Sequence, residues 1–303
     1  MEQKEAERLD CFFHSLQFAK SPLLLLDYDG TLADFRIDRF TARPWSGVRG
    51  LLNAIQRDNR TRLMVITGRP AGEINSLLQL DAPVEVWGLH GAERLHADGR
   101  RELEPAPPDA LAKLDELREK LRHDALGGLF EDKPNAVVMH WRGHSPRQAK
   151  LIEERTRALF EPAAQVSGLS LLPFESGIEL RVGRDKGGAI EAIVEQAPPG
   201  TPVTYLGDDL TDESAFSAVN RMHNPHVSVL MRRFRRPTAA EVWLQPPEGL
   251  RCFLKEWINA VSGVKPARGR FAWIETFAKT DSSVVADEPP YAREITTNPI
   301  DVG

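Results

Sequence analysis

The sequence predicts an α/β protein: a doubly wound, mainly parallel sheet with a second, smaller α/β unit inserted into it. Three observations carry this. Residues 23–26 are consecutive leucines closed by Asp27-Tyr28-Asp29-Gly30, an unbroken apolar run stopped by turn residues, as expected of a strand buried on both faces of a parallel sheet. On either side of the chain's middle, strand-like runs alternate with helical periodicity, the rhythm of crossover-linked parallel strands. Between them, beginning at Pro105-Ala106-Pro107-Pro108, the order becomes helix, two strands, helix, two strands, which breaks that alternation. The expected organisation is a Rossmann-like core from residues 1–105 and 182–262, an inserted α/β cap at 106–181, and a flexible tail at 263–303.

Taken in order, Leu9, Phe12, Phe13 and Leu16 have helical spacing and predict a helix over residues 2–19 that packs on the core. The polar, irregular residues 34–42 after the first strand read as a mobile loop over its end. Val48, Leu51, Leu52 and Ile55 fall at i, i+3, i+4 and i+7, a helix with one buried stripe. Residues 62–66 form a second strand ending in Thr67-Gly68-Arg69, and Pro70 opens the next helix. A third strand at 84–91 runs into a loop, with a hairpin turn at 97–100. In the insert, Leu114, Leu117 and Leu121 mark a helix, residues 128–133 and 136–142 pair as strands, and Ser145-Pro146-Arg147-Gln148 is a capping box. Its helix runs to about residue 160, followed by strands at 169–173 and 177–182. The core rhythm then resumes: a helix with Ile190, Ile193 and Val194, a strand at 202–207, a helix holding Phe216, strands at 227–231 and 241–244, and a closing helix through Trp257. From residue 264, Gly, Pro, Ser and Thr interrupt any period.

At 303 residues the chain is long enough for two domains, and its 41% hydrophobic and 27% charged residues are those of a soluble globular protein. A net charge of −5 argues against a general nucleic-acid partner. Cys11 and Cys252 form no metal or disulfide spacing. The first residues lack the basic-then-apolar order of a signal peptide, and no apolar run approaches the ~20 residues of a membrane span. A cytoplasmic monomer acting on a small molecule, with no nucleic-acid or membrane partner, is expected.

Residues two apart on an extended segment point the same way, so Asp27 and Asp29 can share one pocket while Tyr28 turns back into the protein. Carboxylates that close repel, and a hard cation such as Mg²⁺ is the economical partner. Gly30 permits a sharp turn there. Thr67-Gly68-Arg69, a small hydroxyl and a glycine between a strand and a helix N-terminus, makes a phosphate cradle. Each string alone also reads as an ordinary turn or cap. Their company is more specific: Asp27-Tyr28-Asp29-Gly30-Thr31-Leu32, Thr67-Gly68-Arg69, Arg184-Asp185-Lys186-Gly187-Gly188 and Gly207-Asp208-Asp209-Leu210-Thr211-Asp212-Glu213 occur in this order. The chain thereby resembles the haloacid dehalogenase superfamily of aspartate-nucleophile phosphatases. The first and last strings look like the trehalose-6-phosphate phosphatase family, and the resemblance covers roughly residues 20–260.

That resemblance implies a haloacid dehalogenase core whose inserted α/β cap closes over a phosphosugar. It also implies hydrolysis of trehalose 6-phosphate through an aspartyl-phosphate, the last step of trehalose biosynthesis. Asp27 is then the nucleophile and Asp29 the general acid and base. Thr67 and Lys186 hold phosphoryl oxygens, with Gly68 and Arg69 beside them. Mg²⁺ is held by Asp27, by the main-chain carbonyl of Asp29 and by Asp208, with Asp209 and Asp212 as further candidates. Glu131, Lys133, Arg142 and Glu179 resemble the family's sugar-contacting cap positions, although charged residues on an exposed sheet face are also common. His90, a lone histidine at a strand end, reads as structural. His140 and His144 do not make a zinc site, and Arg232-Arg233-Phe234-Arg235-Arg236 is a solvated basic face or lies beside an anion. Competing readings are a phosphatase for another phosphosugar, of the sucrose phosphate or mannosyl phosphate type, a receiver-type phosphoacceptor domain, and a non-catalytic phosphosugar sensor.

Overall fold

Every leucine of β1 (Leu23–Leu26) is buried, Leu24 and Leu26 in one apolar layer and Leu23 and Leu25 in the other, because successive side chains of a strand point to opposite faces. The computed structural model describes residues 2–264 apart from Ile37, Ala125 and Glu175. The tail expected at 263–303 therefore lies, beyond Val264, outside the described residues. Ahead of β1 runs α1 (Glu2–Leu16), whose Leu9, Phe12, Phe13 and Leu16 are all buried. After it come α2 (Val48–Asp58), β2 (Arg62–Ile66), α3 (Ala71–Leu78) and β3 (Glu85–Gly88), then the hairpin β4 (Glu93–Leu95) and β5 (Arg101–Leu103).

The insert holds α4 (Pro108–Arg122), β6 (Phe130–Lys133), β7 (Ala136–His140), α5 (Pro146–Ala163), β8 (Leu169–Phe174) and β9 (Gly177–Val182). The core resumes with α6 (Lys186–Glu195), β10 (Val203–Gly207), α7 (Glu213–Asn220), β11 (His226–Met231), β12 (Val242–Leu244) and α8 (Glu248–Val261). No helix among the described residues is long and apolar enough to cross a membrane.

The core sheet has the order β12-β11-β10-β1-β2-β3-β4-β5, parallel from β12 to β3 and antiparallel at β4 and β5. Winding reverses between β1 and β10, and Leu26 lies in register with Leu206. The loops after these two strands, which begin with Asp27 and Asp208, therefore open side by side at the switch point where open α/β sheets bind ligands.

The second sheet, β6-β7-β9-β8, is antiparallel throughout. One of its faces buries Val137, Met139, Ile178 and Leu180 against Leu114, Leu117 and Leu121 of α4 and Phe160 of α5. Cross-strand partners share a face, so the pairings Glu131 with Val138, Val138 with Glu179, and Ala136 with both Lys133 and Arg181 put Glu131, Lys133, Glu179 and Arg181 together on the opposite face. Asp132 points the other way, and its carboxylate accepts a hydrogen bond from Arg118 Nε of α4 at 2.6 Å. The expected capping box at Ser145 and Gln148 is present. β7 stops at His140, two residues short of the expected end, and the chain turns through Gly143 at φ +85°.

Candidate active site

Asp27 leaves the end of β1 with its side chain buried, and its Oδ1 accepts a hydrogen bond from Lys186 Nζ at 2.7 Å. Lys186 is the first residue of α6, set there by Asp185, whose carboxylate caps the helix by accepting from the Gly188 N–H. The same ammonium donates to Asp212 Oδ1 at 2.6 Å. Gly30, at φ +80°, lies so close to Asp208 that a Cβ there would fall 2.1 Å from Oδ2. Only glycine fits between the first loop and the carboxylate of the last. Tyr28 turns inward as expected, and its hydroxyl donates to Ala42 O at 2.7 Å.

Carboxylate oxygens of Asp27, Asp208 and Asp212 all lie within 4.8 Å of one another, and all three residues are buried. Burial pushes the Asp27 carboxyl up to about 8 against the opposing pull of Lys186, with Asp212 and Asp29 adding to the rise. Asp208 is pushed well above the usual carboxylate range by burial and by Asp27 and Asp212. Asp212 goes the other way: although burial opposes it, Lys186 and the hydrogen bonds it accepts hold it below that range. Carboxylates crowded around one ammonium, with no soft donor among them, suit a hard divalent cation such as Mg²⁺.

The members of this cluster are not equivalent. Asp212 Oδ1 already accepts from Lys186 and, at 2.5 Å, from the Tyr205 hydroxyl, while Oδ2 accepts from the backbone N–H groups of Asp208 at 2.8 Å and Asp209 at 2.9 Å. Its two oxygens thus already accept four hydrogen bonds that shape the loop, whereas Asp27 accepts one from Lys186. Asp209, also a metal candidate from the sequence, instead caps the turn at Leu210–Asp212 by accepting from the Leu210 N–H at 2.7 Å. The basic cluster lies beside this loop: Arg236 donates to Asp209 O at 2.8 Å, and to Glu213.

Asp29 faces Arg69 in a two-point ion pair, Nε to Oδ2 and Nη2 to Oδ1, both 2.6 Å. Thr67 is buried, and its hydroxyl accepts from the Arg69 N–H at 3.2 Å. Arg39, in the loop after β1, reaches across to the cap. Within a 3-10 turn, Arg39 donates to Glu73 of α3 at 2.7 Å and to Glu131 of β6 at 2.9 Å, and its carbonyl accepts from Arg69 Nη1 at 2.6 Å.

On the cap, Lys133 Nζ donates to Glu179 Oε2 at 3.0 Å, and Glu131 meets His140 Nε2 at 3.0 Å. Bonding to His140, against burial, holds Glu131 down at about 2. Arg142 stands apart, because it lies past the end of β7; its guanidinium stacks on Phe35 at 4.8 Å, and among the described residues it joins no ion pair. Arg39, Arg181 and Tyr205 were not singled out from the sequence, and no local pattern marks them. His90, read there as structural, lies between Gly68 and Glu179.

Comparison with known proteins fits this geometry. The profile of the trehalose-phosphatase family matches residues 25–248. A trehalose-phosphate phosphatase of Mycobacterium marinum is 30% identical over 243 residues, covering 75% of this chain and 58% of that protein. The chain thus spans little more than half the length of this relative. Among solved structures, the C-terminal domain of a Candida albicans trehalose-6-phosphate phosphatase superposes with a TM-score of 0.68 at 20% identity, over 85% of this chain and 97% of that one. A haloacid dehalogenase-like hydrolase from Bacillus subtilis does so at 0.55 and 17%, over 77% and 98%. The chain shares the fold of these two structures, and it belongs to the trehalose-phosphatase family.

Proposed function

We propose that this protein is a Mg²⁺-dependent phosphomonoesterase that converts trehalose 6-phosphate to trehalose and phosphate. The observation that carries the reading is Asp27, buried and held by Lys186 beside Asp208, in a core whose Arg39 and His90 meet a cap face bearing Glu131, Lys133 and Glu179. Asp27 and Asp208, with the Asp29 carbonyl, would hold Mg²⁺. When bound, the cation offsets the negative charge of a phosphate monoester and of the carboxylate that meets it.

An oxygen of Asp27 attacks phosphorus, and the bond from phosphorus to the sugar oxygen breaks as the Asp27 oxygen–phosphorus bond forms. Asp29 donates a proton to the leaving sugar oxygen. Water then attacks phosphorus, giving a proton back to Asp29, and the bond to Asp27 breaks to release phosphate. For this Asp29 has to leave Arg69, and a phosphoryl group drawing that guanidinium to itself frees the carboxyl to work. Thr67 and Lys186 hold phosphoryl oxygens by hydrogen bonds that strengthen as charge gathers on those oxygens in the transition state. A cytosolic setting is part of the reading, supported by the unpaired Cys11 and Cys252.

The test is phosphate release by purified protein from a panel of sugar phosphates. Trehalose 6-phosphate should be turned over fastest; a higher kcat/KM on sucrose phosphate or a mannosyl phosphate compound would reassign the substrate, and no release from any would leave a sensor. A second measurement concerns the cap. Alanine at Glu131, Lys133 or Glu179 should each lower kcat/KM for trehalose 6-phosphate by ~10-fold or more, the loss expected when a polar partner of a bound group is removed. An aryl phosphate, with no sugar to read, should lose much less. Equal losses on both substrates would assign these residues to the fold.

A further inference from the structure

At the end of β3 the chain turns through Leu89 and His90 at φ +50° and +58°, two successive left-handed residues, neither of them glycine. Such backbone persists only where its surroundings over-determine it, and it collects at functional sites. Here the surroundings come from both domains. The N–H of Leu89 donates to Arg69 O at 2.9 Å and that of His90 to Thr67 O at 2.8 Å, both in the core. From the cap, Arg181 Nη2 donates to Leu89 O at 3.2 Å.

This turn lays the imidazole against the phosphate loop: a Cβ on Gly68 would fall 2.6 Å from Nε2. The same Nε2 stands 3.5 Å from Glu179 Oε2, the oxygen that accepts from Lys133. His90 is 8% exposed, and among the described residues its Nδ1 has no hydrogen-bond partner. Burial, against the pull of Glu179, holds the ring at about 4, so it is neutral near pH 7. A neutral ring carries one N–H, and the carboxylate beside Nε2 selects it there. The ring thus fills the space between the core loop that would grip phosphate and the cap carboxylate that would read sugar.

We propose that His90 is a specificity-determining positioning residue that transmits the placement of Glu179 to the Thr67-Gly68 loop, so that the phosphoryl pocket is fully set only under a correctly seated cap. The proposal rests on the phosphosugar reading and deepens it. Two substitutions separate reach from backbone fit. Asparagine suits a left-handed position but is too short to reach Glu179; glutamine carries an amide nitrogen as far as Nε2, and Gln79 in this chain already holds φ +51°.

The experiment measures kcat and KM on trehalose 6-phosphate and on an aryl phosphate for wild type, His90→Asn, His90→Gln, Glu179→Gln and the double variant His90→Asn/Glu179→Gln, with melting temperatures. His90→Asn should lose ~10-fold or more in kcat/KM on the sugar phosphate, part of it in kcat, and far less on the aryl phosphate. His90→Gln should recover most of that loss. The double variant should be little worse than Glu179→Gln alone, since both remove one coupling. Equal losses on the two substrates, losses that multiply in the double variant, or His90→Gln as poor as His90→Asn at an unchanged melting temperature would each overturn the coupling. If wild type is active on a different sugar phosphate, only the named substrate fails and the same comparison is made on that one. Inactivity on every sugar phosphate overturns both readings.

Discussion

Asparagine in place of Asp27 should leave no measurable turnover on sugar or aryl phosphates, a loss of at least ~10³-fold in kcat. The amide has no anionic oxygen to attack phosphorus. Good leaving groups do not rescue it, because the missing bond is the one that forms. The fold should survive: Lys186 keeps Asp212 at 2.6 Å, and the amide has the size and shape of the carboxyl it replaces. A Asp27→Asn protein that melts normally yet keeps a substantial rate would put the nucleophile elsewhere. Asp29→Ala should behave differently, retaining slow turnover of an aryl phosphate, whose leaving oxygen needs little protonation.

Chelation should stop turnover as completely, and added Mg²⁺ should restore it. The cation can also be followed without activity, through the pH dependence of stability. Asp27 is raised from 3.8 to about 8 and Asp208 is raised as well, burial being the first cause for each. In the metal-free protein the folded state therefore keeps protons that the unfolded state releases above about pH 4. Stability should fall as pH climbs from there towards 8. Asp212, depressed by Lys186 despite its burial, contributes in the opposite sense, and its share is lost only in acid. Mg²⁺ should accordingly raise the melting temperature more at pH 8 than at pH 5, because it is bound by the ionised carboxylates. A melting temperature indifferent to Mg²⁺ at both pH values, with full turnover in excess chelator, would remove the cation from this site.

The parts legible in the sequence are those whose cause is local. Four leucines before Asp27 announce a strand buried on both faces, and the i, i+3, i+4 spacing of Val48, Leu51 and Leu52 announces a helix, since periodicity records which face is buried. The strings at Asp27, Thr67, Lys186 and Asp208 are readable as a group through their order and the family they resemble, Asp27, Thr67 and Asp208 following core strands and Lys186 opening α6, and alternation along β6 is enough to put Glu131 with Lys133. What stayed hidden depends on pairings across the insert. Arg181 meets the carbonyl of Leu89, 92 positions away, and Arg39 meets Glu131 at the same separation. Nothing near either arginine distinguishes it from a solvated one. Arg142 is offered by the family resemblance alone; β7 ends at His140, and the turn through Gly143 carries Arg142 to Phe35, outside the strand pairings that set the other cap residues. Asp212 carried an ambiguous signal, as a short acidic side chain beside a turn serves a metal or a backbone equally well. The Tyr205 hydroxyl and the backbone N–H groups of Asp208 and Asp209, all donating to Asp212, are contacts that only the folded loop reveals.

The adjacency of β1 and β10 also bears on how the molecule is made. Leu23 pairs with Val203 across the centre of the sheet, so this strand pair closes one of the longest loops in the chain and has to wait for residues far downstream. The unit between α4 and β9 is continuous in sequence, holds its own apolar cluster, and can gather itself while the central strand still lacks its neighbour. On a ribosome, β1 emerges well before β10, with four leucines that lack one neighbouring strand until β10 arrives. Among the elements nearest in sequence, α1, α2 and β2 are the ones able to cover it in the meantime.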